Sequence, residues 1–126
     1  FAAYQKLWRL AGVDHLHVNG PSSKFWEPDA SVFANAQDCL RPFAGLQPLM
    51  PVFSSGQWAG LAPEIYRQLA SCDLMHLAGG GIIGHPDGTA AGVQSMRQAW
   101  DAAVAGVDVR AHAERHPELK AALGFW

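Results

Sequence analysis

Apolar positions along the chain alternate between two spacings. Over residues 1–11, Phe1, Tyr4, Leu7, Trp8 and Leu10 recur near helical spacing, and Gly12 is a natural stop. Residues 13–20, VDHLHVNG, alternate as a short strand does. A turn-rich loop, NGPSSKFWEPD, spans 19–29. Ser31 or Asp29 is placed to cap a helix with the apolar face Val32, Phe33, Ala36, Cys39 and Leu40, which Arg41-Pro42 ends. A second strand, PLMPVFS, covers 48–54. A helix with Leu61, Ile65 and Leu69 at steps of four follows, and it tolerates Pro63 in its first turn. Residues 73–79, DLMHLAG, read as a third strand that runs into a glycine-rich loop. A long helix with Val93, Met96, Trp100 and Val104 then ends at Gly106. Asp108 caps a short helix, and His116-Pro117 breaks the chain before a final helical segment.

The order α-β-α-β-α-β-α with short connections predicts an α/β fold with parallel strands and right-handed crossovers. The near-continuous apolar character of the strands predicts cover on both faces. Two architectures fit: an open doubly wound sheet, or the last three βα units of a (β/α)8 TIM barrel plus C-terminal helices. Three strands do not close a barrel, which takes about 250 residues, so the second reading needs more chain before Phe1. The start without Met, inside a helical pattern, agrees with a piece of a longer polypeptide. In either architecture a ligand binds at the carboxyl ends of the strands.

Composition narrows the function. Of 126 residues, 49% are hydrophobic and 16% charged, with a net charge of −2. There is no basic field for nucleic acid, no polybasic segment for a lipid surface and no apolar run of membrane-spanning length. The low charge agrees with some of the outer surface being covered by something else. No leader pattern is visible, so the sequence reads as cytoplasmic. Cys39 and Cys72, without a C-x-x-C pattern, read as buried thiols.

The three strand ends carry the candidate chemistry. In LAGGGIIGHPDG (77–88), Gly79, Gly80 and Gly81 make either a tight turn or a loop whose amides approach an anion. The pattern is neither a dinucleotide fingerprint nor a P-loop. Ser54-Ser55-Gly56 adds hydroxyls and a flexible amide. If these are the last two strands of a barrel, Gly56, Gly79 and Gly80 converge on one phosphate. His15 and His17 share a strand face, but no third metal ligand is evident. A histidine at a strand end donates more simply to a phosphate or substrate oxygen. Lys24 is either solvated or a mobile cation that closes over an anionic intermediate, with Phe25, Trp26 and Pro28 as anchors. His85 reads as ordering its turn. His76, His112 and His116 read as structural or solvent-facing, and Trp8, Trp58, Trp100 and Trp126 as packing residues.

Three motifs in this order resemble the C-terminal part of the RuBisCO large-subunit superfamily. DHLHVNGPSSK (14–24) resembles the family's Asp-His-x-His strand and lysine loop. PVFSSGQW (51–58) is similar to its Pro-Val-x-Ser-x-Gly segment. GGGIIGHPDG (79–88) is similar to its loop after strand eight. Val18 in place of a small hydroxyl residue, Asn-Gly-Pro-Ser-Ser before Lys24, and Ser55 in place of glycine depart from true carboxylases and favour the RuBisCO-like branch.

The resemblance implies an enzyme acting through a magnesium-stabilised enolate on a phosphorylated sugar-derived ketone or oxo-acid. Within the branch, the lysine loop is nearest to proteins that decarboxylate or cleave apiose-derived oxo-acid phosphates. It implies that His17 contacts substrate oxygen or phosphate, Lys24 stabilises the developing charge, Ser54 donates to a substrate hydroxyl, and Gly56, Gly79 and Gly80 hold a phosphate. The Mg2+ ligands are expected upstream of this chain, with none within it. The implied partner is a second copy, in a head-to-tail homodimer. The alternatives are ribulose-bisphosphate carboxylase proper, a non-catalytic phosphate-binding barrel, or an unrelated phosphosugar isomerase in which Lys24 is dispensable.

Overall fold

Three short runs pair as a parallel sheet in the computed structural model, which describes residues 1–23 and 26–126. Strands β1 (His15–His17), β2 (Met50–Phe53) and β3 (Met75–His76) lie in that order. His17 pairs with Val52, which pairs with Met75; Phe53 pairs with His76. Paired residues in parallel strands share a face. One face therefore carries His15, His17, Val52 and Met75, and the other Leu16, Pro51, Phe53 and His76.

The two faces have different surroundings. Helices α2 (Asp29–Cys39) and α3 (Ala62–Leu69) cover the Phe53 face. Val32, Phe33, Ala36 and Cys39 of α2 meet Val18, Leu49, Phe53 and Ile65 in the main core, with Trp100 of α5 (Thr89–Ala105) at its border. Each large side chain buried there is worth about 1.5–3 kcal/mol. The opposite face leaves His15, His17 and Met75 exposed. The expectation of cover on both faces holds for β2 and fails for its neighbours, because all the helices that meet the core lie on one side.

Helix α1 (Ala2–Leu10) is inverted relative to its sequence pattern. The stripe Phe1, Tyr4, Leu7, Trp8 and Leu10 is exposed, and Gln5 and Arg9 are buried. Gln5 Nε2 donates to Asp38 at 2.8 Å. The Arg9 guanidinium donates to the Arg41 and Gln47 carbonyl oxygens at 2.9 and 2.7 Å and stacks on Phe43. These two carbonyls close the loop after α2, which only a long, forked donor can reach from α1.

Polar ties also fix the C-terminal helices. Buried Gln98 of α5 donates to the Glu118 carboxylate at 2.8 Å and accepts from the Leu119 amide at 3.0 Å. This docks α7 (Pro117–Phe125) on the small-residue face of α5 formed by Ser95, Ala99 and Ala102. Val93 and Val104, expected in the buried stripe, are half exposed. Asp108 caps α6 (Val109–Ala113) through the Arg110 and Ala111 amides, as expected. Helix α2 is capped differently from expectation. Pro28 is its N-cap, Asp29 accepts from the Ser22 amide, and Ser31 donates to Glu27.

Cys39 is buried, and burial with the Asp38 carboxylate nearby pushes its thiol up to about 11; Cys72 is exposed, against expectation. Among the described residues no helix is long and apolar enough to cross a membrane.

Two outcomes follow from these packings. Arg9→Ala strands two carbonyls and should cost about 3 kcal/mol in urea unfolding, while Leu7→Ala should change it by about 0.5 kcal/mol or less. Burial holds the His76 imidazole down to about 4, with Trp100 Nε1 donating to its Nδ1. The unfolded chain takes up this proton near pH 6.5, so stability should fall as pH drops from 6.5 toward 4. His76→Gln should remove up to about 1.4 kcal/mol per pH unit of that slope, read from urea melts across the interval.

Candidate functional site at the strand ends

Register places the ends of β1, β2 and β3 side by side, and the predicted residues His17, Ser54, Gly56, Gly79 and Gly80 lie at or just beyond those ends. His17 is the last residue of β1, and Ser54 directly follows β2. The His17 imidazole Nδ1 and the Ser54 hydroxyl are 2.9 Å apart. The hydroxyl serves either ring tautomer, accepting from Nδ1–H or donating to a bare nitrogen. Both groups sit at the open face of the sheet, within reach of a bound molecule. The Ser54 amide also donates to the Asn19 carbonyl at 3.2 Å, which ties the two strand ends together.

After Ser54 the chain turns sharply. Ser55 and Gly56 both adopt left-handed backbone, with φ of 69° and 65°. That conformation is costly for serine. The Gln57 side chain compensates: its Nε2 donates to the Ser55 carbonyl at 2.7 Å and the Pro21 carbonyl at 3.2 Å. Gln57 is 2% exposed and thus joins the turn after β2 to the loop after β1. Gly20 leaves room for it, because a Cβ there would push the Gln57 amide off these two carbonyls. Sequence reasoning missed Gln57; the signal was a polar residue adjoining the Ser-Ser-Gly turn, with a glycine opposite.

The glycine run does not form a loop. Gly79–Ile83 is a short helix, α4, that starts three residues after β3. Its glycines have distinct surroundings. A Cβ on Gly81 would lie 2.5 Å from the Gln57 carbonyl oxygen and 2.6 Å from Trp58 Cα, so Gly81 serves close packing. A Cβ on Gly79 or Gly80 would meet nothing within 4 Å. These two border a cavity of about 180 Å3, lined also by Ser55, Gly56, Gln57 and Trp126. Gly56, Gly79 and Gly80 are thus brought to one hollow. Trp126, read as a packing residue, packs at a tilt against Trp58, ring centroids 6.3 Å apart, and forms part of its wall.

Other expectations resolve residue by residue. Lys24 and Phe25 lie outside the described residues. Trp26 is 95% exposed, against its reading as an anchor. Val18, whose lack of a hydroxyl was read as a departure from true carboxylases, is 1% exposed and packs in the core. His85 orders its turn as expected: its Nδ1 accepts from the Asp87 amide at 3.1 Å, and its Nε2 meets the Glu118 carbonyl at 2.9 Å. Among the described residues no three His, Cys, Asp or Glu side chains group to hold a metal. His15 and His17 share a face, but His17 Nδ1 is engaged by Ser54.

Comparison with known proteins gives the family. The family profile of the ribulose bisphosphate carboxylase large chain, catalytic domain, matches residues 1–126. The 3-oxo-isoapionate-4-phosphate transcarboxylase/hydrolase of Xanthobacter autotrophicus is 54% identical over 128 residues, covering 100% of this chain and 31% of its own length. The 3-oxo-isoapionate-4-phosphate decarboxylase of Rhizobium etli is 46% identical over 125 residues, covering 98% and 30%. A rubisco-like protein from Burkholderia fungorum superposes with a TM-score of 0.93 at 51% identity, over 98% of this chain and 31% of that one. The octameric Rubisco of Pyrococcus horikoshii follows at 0.87 and 38%, over 97% and 28%. The chain spans under a third of the length of each of these relatives. With strand-end motifs, parallel sheet and full-length profile match in agreement, the chain belongs to the RuBisCO large-chain catalytic-domain family.

Proposed function

We propose that residues 1–126 are the last three βα units, with C-terminal helices, of a (β/α)8 barrel in a RuBisCO-like enzyme. Its substrate is a phosphorylated sugar-derived oxo-acid, and we assign 3-oxo-isoapionate 4-phosphate, the compound in the names of two similar proteins. The reaction passes through an enolate and ends in decarboxylation or hydrolytic cleavage. The observation that carries the reading is the pairing of the His17–Ser54 contact with a small hollow bordered by Gly56, Gly79 and Gly80 at adjacent strand ends. One-sided helical cover supports a barrel over a doubly wound sheet, since the open face with His15, His17 and Met75 then becomes barrel interior.

In this reading the substrate phosphate sits in the hollow and accepts from the Gly56, Gly79 and Gly80 amides. The carbonyl and hydroxyl groups lie toward His17 and Ser54. The Ser54 hydroxyl donates to a substrate oxygen while the His17 imidazole holds its orientation. Lys24 supplies positive charge beside the developing enolate or carboxylate. The family's magnesium, which would add Lewis-acid stabilisation, does not fit the donor set here, and its ligands are assigned to strands before Phe1. No step is derived through it. A second copy completes the site in a homodimer, and the exposed α1 stripe and low charge agree with extensive further packing. A cytoplasmic location suits a phosphorylated substrate.

The test uses the complete polypeptide. Incubated with 3-oxo-isoapionate 4-phosphate in D2O, it should place deuterium at the carbon beside the carbonyl, and Lys24→Ala should slow turnover by roughly 10²–10³-fold. Absence of deuterium incorporation with this and other phosphorylated ketones would overturn the reading. The hollow makes its own demand. Gly80→Ala adds a methyl in open space at a helix start and should leave thermal stability unchanged, within about 1 kcal/mol, while raising the KM for the phosphorylated substrate. Gly81→Ala should instead destabilise the fold, by about 1–3 kcal/mol, because its methyl meets backbone.

A further inference from the structure

Glu27 lies just beyond the segment that carries Lys24, and its carboxylate is engaged on both oxygens. Oε2 accepts from Asn19 Nδ2 at 2.7 Å. Oε1 accepts from the Ser31 hydroxyl at 2.8 Å and from Asn35 Nδ2 at 2.9 Å. Ser31 and Asn35 are one turn apart on α2, so the carboxylate is fastened to a rigid surface that packs on the sheet. Asn19, on the other side, follows β1 with a left-handed φ of 63°, a conformation that asparagine tolerates better than most residues. The Asn19 carbonyl is the acceptor for the Ser54 amide, and the Ser54 hydroxyl meets His17. The contacts therefore run unbroken from α2 through Glu27 and Asn19 to Ser54 and His17.

We propose that Glu27 is a positioning residue for the strand-end site. Its carboxylate fixes Asn19, and through Asn19 the backbone of Ser54. It also holds together the two ends, 19 and 27, of the segment that bears Lys24. With three donors already on its oxygens, Glu27 is occupied by the protein itself and does not act on the substrate. Charge-assisted bonds of this kind are short and strong, which suits a clasp that must hold geometry. The inference rests on the function proposed above.

The direction of the Asn19–Glu27 bond supplies the test, made on the complete polypeptide with 3-oxo-isoapionate 4-phosphate. Asn19→Asp sets two carboxylates against each other at hydrogen-bond distance and should lower kcat about 10- to 100-fold, with KM changed less than about threefold. Adding Glu27→Gln restores the clasp with the donor on the opposite side: the new amide donates to Asp, and its oxygen still accepts from Ser31 and Asn35. The double variant should recover kcat to within about threefold of the wild type. Wild-type kcat in the single variant, or a double variant no better than the single, would overturn the proposal. If Asn19→Asp does not fold, Asn19→Gly keeps the left-handed backbone while deleting the bond. It should show the same loss in kcat, and wild-type turnover there would overturn the proposal equally. Ser54→Ala and Lys24→Ala run alongside. If both turn over at the wild-type rate, the reading of the site fails and this inference with it; if they lose activity while the Asn19 variants do not, only the clasp is refuted.

Discussion

The site depends on the register at Val52. This residue pairs with His17 on one side and Met75 on the other, and that double pairing brings the ends of all three strands to one edge. A slip of one residue in either ladder would turn His17 toward the helices and carry Ser54 away from it. The register is held on the covered face by Phe53, which is fully buried against Phe33. Packing on one side of a three-stranded sheet thus sets the chemistry on the other.

Hydrophobic packing does not by itself finish the site. The connections after β1 and β2 are held by polar side chains used as spacers: Gln57 between Ser55 and Pro21, and Glu27 between α2 and Asn19. Arg9 has the same role at the opposite end of the sheet, where it closes the loop after α2. Each is a long side chain with directional donors or acceptors, and each joins segments too irregular to pair by backbone alone. Breaking any of these directional bonds leaves a polar group of the turn or loop unpaired, so together they favour one arrangement of the loops.

Much of this was legible in the sequence. The strand order, Pro63 in the first turn of α3, the Asp108 cap and the Gly106 stop depend on local chemistry and appear as expected. The gathering of Gly56 with Gly79 and Gly80 followed from parallel strands whose ends lie together, whereas the direct contact of His17 with Ser54 depends on register and was not foreseen. Helix α1 forms where its spacing predicts, but its apolar stripe faces outward, because the contacts available to it among the described residues are two carbonyls and a carboxylate, which select Gln5 and Arg9. In α5 the apolar spacing of Val93, Met96, Trp100 and Val104 competed with a stripe of small residues, and close approach of α7 selected the small ones. The glycine run was read as a loop because propensity disfavours glycine in helices. Gly81 is there because the backbone of Gln57 and Trp58 comes too close for any side chain.

The central claim is that one phosphate group is held across two strand ends by backbone amides. The direct measurement is a crystal structure of the complete polypeptide with 3-oxo-isoapionate 4-phosphate or a non-reacting analogue bound. Phosphate oxygens should lie within about 3 Å of the Gly56, Gly79 and Gly80 nitrogens, with a substrate oxygen at the Ser54 hydroxyl. A phosphate seated elsewhere, with the hollow between Gly56 and Gly80 filled by water or side chain in the liganded enzyme, would contradict it.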